Sequence, residues 1–237
     1  MFSSPATYKM YCIHYSTKAQ KVKHCPLILH NFSIKQPIFP LFNWDGLMYN
    51  MFGGVKMKLL LHICCAPCSL MCIETLRGDG LSPDGFWYNP NIHPFTEYRS
   101  RRNCLRDFSQ EIGLKLIEKN DYALRPFIRE VAADIDGRCM KCYEMRLGET
   151  AKFAKENGYD AFTSSLFISP YQRHEAMREI AQDAANRFGV EFLYRDFRPY
   201  FKEGQEKARE KGFYMQKYCG CIFSEEERYL KAKKIIR

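Results

Sequence analysis

Residues 58–78 of the 237-residue chain read KLLLHICCAPCSLMCIETLRG, and this stretch decides the fold. Its first part, Lys58 to Ile63, is a compact apolar run of the kind that forms a strand buried on both faces of a sheet. Residues 64–69 then make a turn, and Ser69 to Arg77 is predicted to be a helix that ends at Gly78. A buried strand that leads through a turn into a helix is typical of a parallel α/β sheet.

Strand-like and helix-like segments alternate through the rest of the chain. The predicted strands are 84–88, 114–118, 160–163 and 191–194, and the predicted helices are 95–112, 122–133, 139–157, 170–188, 203–211 and 224–234. This alternation predicts an α/β fold with a Rossmann-like parallel sheet, helices on both faces and a helical C-terminal part. Because ligands bind beyond the carboxyl ends of such strands, Cys64 and Cys65 fall where the chemistry is expected.

The first quarter of the chain differs in composition from the remainder. Residues 1–56 hold six lysines against a single acidic residue, Asp45, and so carry more than half of the net charge of +9. They show no sustained helical or alternating period. We expect residues 1–56 to be an N-terminal extension, either disordered or a product of start-site choice, and residues 57–237 to form a single α/β catalytic domain.

Composition narrows the class of protein. With 46% hydrophobic residues the chain can bury a core, and no apolar run reaches the roughly 18 residues of a membrane span. The positive net charge favours an anionic partner such as nucleic acid. The eleven cysteines are odd in number and clustered, and no secretory signal precedes them. These features disfavour a secreted disulfide scaffold, and we expect a cytoplasmic protein whose cysteines serve metal binding or redox chemistry.

Six cysteines form three clusters that carry the strongest signal. They are the pair Cys64-Cys65, the CxxC of Cys139 and Cys142, and the CxC of Cys219 and Cys221. A CxxC at the start of a helix lets two thiolates converge on one metal, and the helix N-terminus favours the thiolate form. Two pairs from separate segments supply four sulfurs, enough for a [4Fe–4S] cluster or a tetrahedral zinc. Cys68 is an alternative to Cys64 as a ligand.

The CxC cluster allows two interpretations. A disulfide between Cys219 and Cys221 would close a small strained ring, and a strained disulfide is easily reduced. The two thiols can therefore act as a redox-cycling pair, or they can be further metal ligands or idle thiols in a glycine turn.

Five segments of the chain resemble one known family. They are LLLHICCAPCS (59–69), FWYNPNIHPFTEYRSRR (86–102), GRCMKCYEMRL (137–147), FTSSLFISPYQRHEAM (162–177) and YCGC (218–221). Together they resemble the cobalamin-independent epoxyqueuosine reductases of the QueH family, from about Lys58 to the C-terminal helix. The resemblance implies an adenine nucleotide alpha hydrolase (HUP-like) version of the fold. It also implies reduction of epoxyqueuosine to queuosine at the wobble position of tRNA, the last step of queuosine biosynthesis.

The same resemblance implies roles for the six clustered cysteines. Cys64, Cys65, Cys139 and Cys142 correspond to the [4Fe–4S] ligands, and Cys219–Cys221 to a redox-active disulfide. A further iron ion beside the cluster stays open, and no cobalamin is implied. The partners would be tRNA carrying epoxyqueuosine and an electron donor that the sequence does not identify.

Eight further residues are candidates for binding substrate or tRNA. Tyr98, Arg99, Arg101 and Arg102 form a basic, aromatic stretch of one predicted helix, Asn89 and Asn91 lie in the loop before it, and Ser164 and Ser165 follow the fourth strand. Arginine and tyrosine can contact phosphates and stack on unpaired anticodon bases. The alternatives are a solvated charged helix face, asparagines that hold a turn, and serines that cap a helix.

Two other functions compete with the reductase. An ATP-dependent, iron–sulfur tRNA thiolase would carry an SGGxDS phosphate loop after the first strand, but residues 64–69 read CCAPCS and lack its glycines, so no ATP is expected. A zinc-stabilised RNA-binding module without catalytic activity would explain the cysteine pairs and the charge, but not the CxC.

Overall fold

The structure is a computed structural model that describes residues 57–230. A parallel sheet lies at the centre of this part of the chain. Its strands are β1 (Leu59–His62), β2 (Asp84–Trp87), β3 (Leu116–Glu118), β4 (Ala161–Ser164) and β5 (Glu191–Phe192). They pair in the order β3-β2-β1-β4-β5, and every pair is parallel. The predicted α/β class is therefore confirmed, while the expectation for residues 1–56 lies outside the described residues.

Seven α-helices connect and follow these strands within residues 57–230. They are α1 (Ala66–Gly78), α2 (Phe95–Glu111), α3 (Leu124–Val131), α4 (Arg138–Glu156), α5 (His174–Phe188), α6 (Phe201–Glu210) and α7 (Ile222–Tyr229). None of these helices combines the length and apolarity that a membrane span requires. That residues 57–237 form one catalytic domain stays a prediction.

The connections place the helices on the two faces of the sheet. The chain moves outward from β1 to β3 and then returns to β4 and β5 on the other side, so right-handed crossovers put α1 and α2 on one face and α4 and α5 on the other. Contacts between α1 and α2, and between α4 and α5, agree with this. The strand order reverses between β1 and β4, which creates the crevice where such folds bind ligands.

Two helices begin three or four residues away from their predicted starts, and both differences shape the crevice. Helix α1 begins at Ala66 rather than Ser69, because Cys65 adopts the extended N-cap conformation and Pro67 fits the first turn. This places Cys68 in that turn. Helix α5 begins at His174 rather than Pro170, because a short 3₁₀ helix (Ser165–Ile168) follows β4, with Ser164 Oγ accepting a hydrogen bond from the amide of Leu166.

The core explains why β1 reads as a continuous apolar run. All four β1 residues are buried, and the strand is paired on both sides. Strand β2 packs closely against the end of β1, since a Cβ on Gly85 would lie 3.0 Å from Ile63 Cδ1. The carboxyl ends of β1 and β4 are thereby held in fixed register, with His62 opposite Ser164.

Candidate active site

Three thiols meet at the point where β1 passes into α1. The Sγ atoms of Cys64, Cys65 and Cys68 all lie within 4.8 Å of one another, and all three side chains are buried. Cys64 and Cys65 end the strand, and the early start of α1 adds Cys68 from one turn further on. This donor set can hold a metal ion, since converging thiolates are ligands for zinc and iron–sulfur clusters.

The two serines after β4 hold this thiol group from the neighbouring strand. Ser165 Oγ accepts a hydrogen bond from the Cys64 amide at 3.2 Å and donates to the Cys64 sulfur at 3.5 Å. Ser164 Oγ lies 2.8 Å from Nδ1 of His62, whose Nε2 lies 3.1 Å from the Tyr88 carbonyl. Burial lowers the pKa of His62 to about 3, so its imidazole is neutral and supports the crevice by hydrogen bonding.

Within the thiol group the pKa shifts of the three cysteines differ in direction. Hydrogen bonds from Cys65 and Cys68 hold the pKa of Cys64 well below its usual value, and the charge of Arg146 acts in the same direction. Burial raises the pKa of Cys65, and the hydrogen bond to Cys64 raises that of Cys68. Of the three thiols, Cys64 is therefore the one whose pKa is shifted towards the thiolate, the form that binds metals.

A buried guanidinium links the thiol group to the CxxC. Arg146 is 2% exposed and lies four residues after Cys142 on α4. Its Nη1 donates to Cys142 Sγ at 3.8 Å and its Nη2 to Asn89 Oδ1 at 2.7 Å, while Nε has no partner among the described residues. Asn89 in turn donates to the carbonyl of Ile63 at 2.9 Å, directly before the thiol group. The arginine is thus held between the two cysteine segments.

Cys139 and Cys142 themselves lie outside the group of three thiols. Cys142 packs with Cys221 and with Phe127 and Val131 of α3 in a small apolar cluster. Burial raises the pKa of Cys142 to about 12. The CxxC is therefore beside the CxC. An ion pair between Arg138 and Glu227 also joins α4, which carries the CxxC, to α7, which follows the CxC.

The CxC loop is held in place through its main chain. Arg101 donates to the carbonyls of Tyr218 at 2.9 Å and Cys219 at 3.0 Å, and the amide of His93 donates to the carbonyl of Gly220 at 2.7 Å. Gly220 has a φ of 136°, and a Cβ there would meet Ile92 at 3.2 Å, so only glycine fits. Cys219 and Cys221 are free thiols; the first is exposed and the second buried.

Arg101 is expected to position Cys219. The Arg101→Met variant removes both carbonyl contacts and leaves Glu97, its partner at 2.6 Å, buried without a cation. We expect a loss of about 3 kcal/mol in the free energy of unfolding and faster alkylation of Cys219. Urea denaturation and mass spectrometry after iodoacetamide treatment measure the two effects. Arg102→Met is the matched control, because its partly exposed side chain donates to Asn120 Oδ1 and bonds to no carbonyl of the CxC loop within residues 57–230. Equal behaviour of the two variants would contradict the role of Arg101.

One cavity connects these elements. It has a volume of about 600 Å³, and Cys64, Cys68 and Cys219 all line it. The charged residues on its wall are Arg101, Arg146, Arg209, Lys217, Arg228 and Glu227. The cavity therefore brings a candidate ligand segment and the candidate redox pair together in a positively charged space of the size of a small-molecule site.

The remaining predicted binding residues do not line this cavity. Tyr98 is buried, and its hydroxyl accepts a hydrogen bond from the indole of Trp87 at 3.0 Å. Arg99 is exposed, and Arg102 lies over the ring of Tyr98 with its guanidinium carbon 5.7 Å from the ring centroid; neither lines the cavity. Asn91 is buried, and both atoms of its amide group have no partner among the described residues.

Sequence reasoning missed several polar residues of the cavity, among them Arg146 and Gln216. Arg146 shares a helix face with Cys142 at a spacing of four residues, and this spacing was the available signal. Gln216 donates to Cys68 Sγ at 3.3 Å from the C-terminal segment, a contact between residues 148 positions apart that no local pattern reveals.

The fold and the site together define a class of protein: a Rossmann-like α/β protein with a metal-competent cysteine site at the switch point of its sheet. Comparison with known proteins then identifies the family. The model of the family "Epoxyqueuosine reductase QueH" matches residues 59–227. The chain belongs to this family of oxidoreductases, which confirms the resemblance seen in its motifs.

Three curated relatives show how far the similarity extends. The epoxyqueuosine reductase QueH of Dehalococcoides mccartyi is 42% identical over 172 residues, covering 73% of this chain and 94% of the relative. The relative of the same name from Thermotoga maritima is 31% identical, covering 76% of this chain and 96% of the relative. The one from Acinetobacter baylyi is 35% identical, covering 70% and 80%.

Proposed function

We propose that this protein reduces the epoxide of epoxyqueuosine to the alkene of queuosine at the wobble position of tRNA. The family membership supports the reaction, and the cavity supports the site. The overall change is epoxide plus two electrons and two protons giving alkene plus water. A [4Fe–4S] cluster on Cys64, Cys65, Cys139 and Cys142 and the thiol pair Cys219 and Cys221 supply the redox chemistry in this proposal.

The buried charge of Arg146 is the single observation that best supports the proposed cluster. A buried guanidinium needs a negative counter-charge, and no carboxylate of the described residues forms an ion pair with it. The groups that face it are thiols of Cys142, Cys64 and Cys219, whose charges act on its pKa. Thiolates that ligate a metal centre provide this negative charge permanently, so the donor set and its electrostatics fit an iron–sulfur cluster.

The ligand set combines resemblance and geometry. Cys64 and Cys65 belong to the group of three thiols, and Arg146 connects this group to Cys142. Cys68 is the nearest alternative ligand, because it completes the group of three. Bound there, a [4Fe–4S] cluster would supply electrons at a buried position beside the cavity.

The thiol pair can balance the reaction. Oxidation of Cys219 and Cys221 to a disulfide releases two electrons and two protons, which equals the requirement of one epoxide losing its oxygen as water. The exposed Cys219 faces the cavity and the buried Cys221 lies behind it, so the first thiol reaches the substrate side. Arg101 and Gly220 keep the loop in the turn that the pair needs.

Conversion of epoxyqueuosine to queuosine in tRNA tests the proposal. Anaerobically reconstituted protein is incubated with tRNA containing epoxyqueuosine and a strong reductant, and the nucleosides are analysed by mass spectrometry. We expect loss of one oxygen atom from the modified nucleoside. Retention of the epoxide by protein with a confirmed iron content would refute the function, and a colourless protein that binds only zinc would favour an RNA-binding module instead.

A further inference from the structure

An exposed aromatic ring stands at the mouth of the cavity. The side chain of Tyr171 is 83% exposed, more than any other large hydrophobic residue that the structure describes. Its ring meets the ring of Phe201 edge-on, with 5.8 Å between the centroids, and both residues line the cavity. An exposed aromatic ring at the edge of a cavity is available to stack on a planar group of a bound partner.

The loop that carries this ring is fixed. The amide of Tyr171 donates to Ser169 Oγ at 3.3 Å, and Tyr143 donates from its hydroxyl to Gln172 Oε1 at 2.6 Å. Gln172 also donates from Nε2 to the sulfur of Cys219 at 3.4 Å. Hydrogen bonds therefore fix the backbone that carries the ring and connect it to the CxC loop. A partner that stacks on the ring is thereby positioned relative to Cys219.

Three cations line the same cavity. Arg209, Lys217 and Arg228 are exposed, line the cavity and form no ion pair within residues 57–230. The one acidic residue of the wall, Glu227, pairs with Arg138. These three positive charges suit phosphate groups, and an exposed aromatic ring that lines the same cavity as positive charges suits single-stranded nucleic acid.

We propose that the mouth of the cavity binds the unpaired anticodon loop of tRNA, with Tyr171 stacking on a base next to the modified nucleotide and Arg209, Lys217 and Arg228 binding the flanking phosphates. This inference rests on the proposed function, because it places the modified nucleotide in the cavity. An acidic protein that donates electrons would also use the three cations, but it gives no reason for the exposed ring. The RNA loop uses both features.

Binding of a fluorescein-labelled anticodon stem-loop RNA, followed by fluorescence anisotropy of the iron-loaded protein, tests this placement. Tyr171→Ala is expected to weaken binding about 5-fold to about 100-fold, the range for one stacked base, and Tyr171→Trp to restore it. Tyr229→Ala is the matched control, because Tyr229 is 54% exposed and does not line the cavity. An RNA duplex without a loop should bind all four proteins equally, since its bases cannot stack on the ring.

The cations are tested by the salt dependence of the same binding. Each of Arg209→Ala, Lys217→Ala and Arg228→Ala is expected to reduce the slope of log affinity against log salt by about 1. Arg187→Ala is the control, an exposed arginine of α5 that does not line the cavity. A Tyr171→Ala variant that binds the stem-loop as tightly as the wild type overturns the placement and leaves the mouth to another partner.

Failure of this inference and failure of the proposed function give different results. Conversion of epoxyqueuosine tRNA by the wild type, with unchanged stem-loop binding by Tyr171→Ala, contradicts only the stacking role. Weaker stem-loop binding by Tyr171→Ala, with no conversion by the wild type, supports the RNA site and contradicts the reductase.

Discussion

Cys139→Ala is expected to yield a protein that no longer retains an iron–sulfur cluster after anaerobic reconstitution. The thiol of Cys139 is a terminal ligand in the proposed set, and alanine offers no donor atom. Loss of residues that merely support a ligand already costs about 10-fold to 100-fold in metal affinity, so loss of the ligand itself should exceed that range. Iron and sulfide analysis, with the broad visible absorption of the cluster, measures the effect.

A matched cysteine controls for the loss of a thiol as such. Cys104 of α2 is half-buried, accepts a hydrogen bond from the amide of Tyr214 at 3.4 Å and does not line the cavity. Cys104→Ala should therefore retain the full iron content and the visible spectrum. The free energy of unfolding of the two metal-free variants, compared by urea denaturation, separates a ligand effect from misfolding.

Cys68→Ala tests whether Cys68 belongs to the ligand set. Cys68 forms the compact group with Cys64 and Cys65, whereas Cys139 lies outside it. If Cys139 is a ligand and Cys68 a neighbour, Cys68→Ala keeps its iron. The opposite pattern, with iron lost from Cys68→Ala and retained by Cys139→Ala, would show that the set implied by the family resemblance is wrong for this chain.

The local sequence was sufficient for the sheet and for the positions of the cysteines. The apolar run of β1 is buried because the strand pairs on both sides, and its end fixes Cys64 and Cys65 at the switch point. Helical spacing also put Cys68 within reach of the pair. The [4Fe–4S] cluster at this point stays a prediction, because a donor set of cysteines is common to zinc sites and iron–sulfur clusters.

The basic stretch of α2 shows why the remainder of the site could not be predicted from the local sequence. A charged helix face is usually solvated, yet the chain folds its C-terminal segment over Arg101 through contacts between residues about 118 positions apart. Arg101 therefore holds the CxC loop instead of facing solvent. Tyr98 is likewise buried against Trp87. Contacts of such long sequence separation leave no trace in local periodicity, so exposure of these residues could not be predicted.

Cys219→Ala is expected to keep the cluster and lose turnover. In the proposed reaction Cys219 supplies one of the two thiols that become a disulfide, and alanine breaks this balance. The rate of queuosine formation should fall by at least about 1000-fold, as for the loss of a reacting group in other enzymes. Iron content should stay at the wild-type level, because Cys219 is exposed on the cavity wall and lies outside the proposed ligand set.

The fate of the thiols gives a readout independent of the rate. Wild-type protein is mixed with epoxyqueuosine tRNA without added reductant. Cys219 and Cys221 should then become resistant to alkylation, because they form a disulfide while the modified nucleoside loses oxygen. Cys221→Ala should behave like Cys219→Ala, and Cys104→Ala like the wild type. Loss of iron from Cys219→Ala would instead make this cysteine a ligand, and the division of the six cysteines into four ligands and one redox pair would then be wrong.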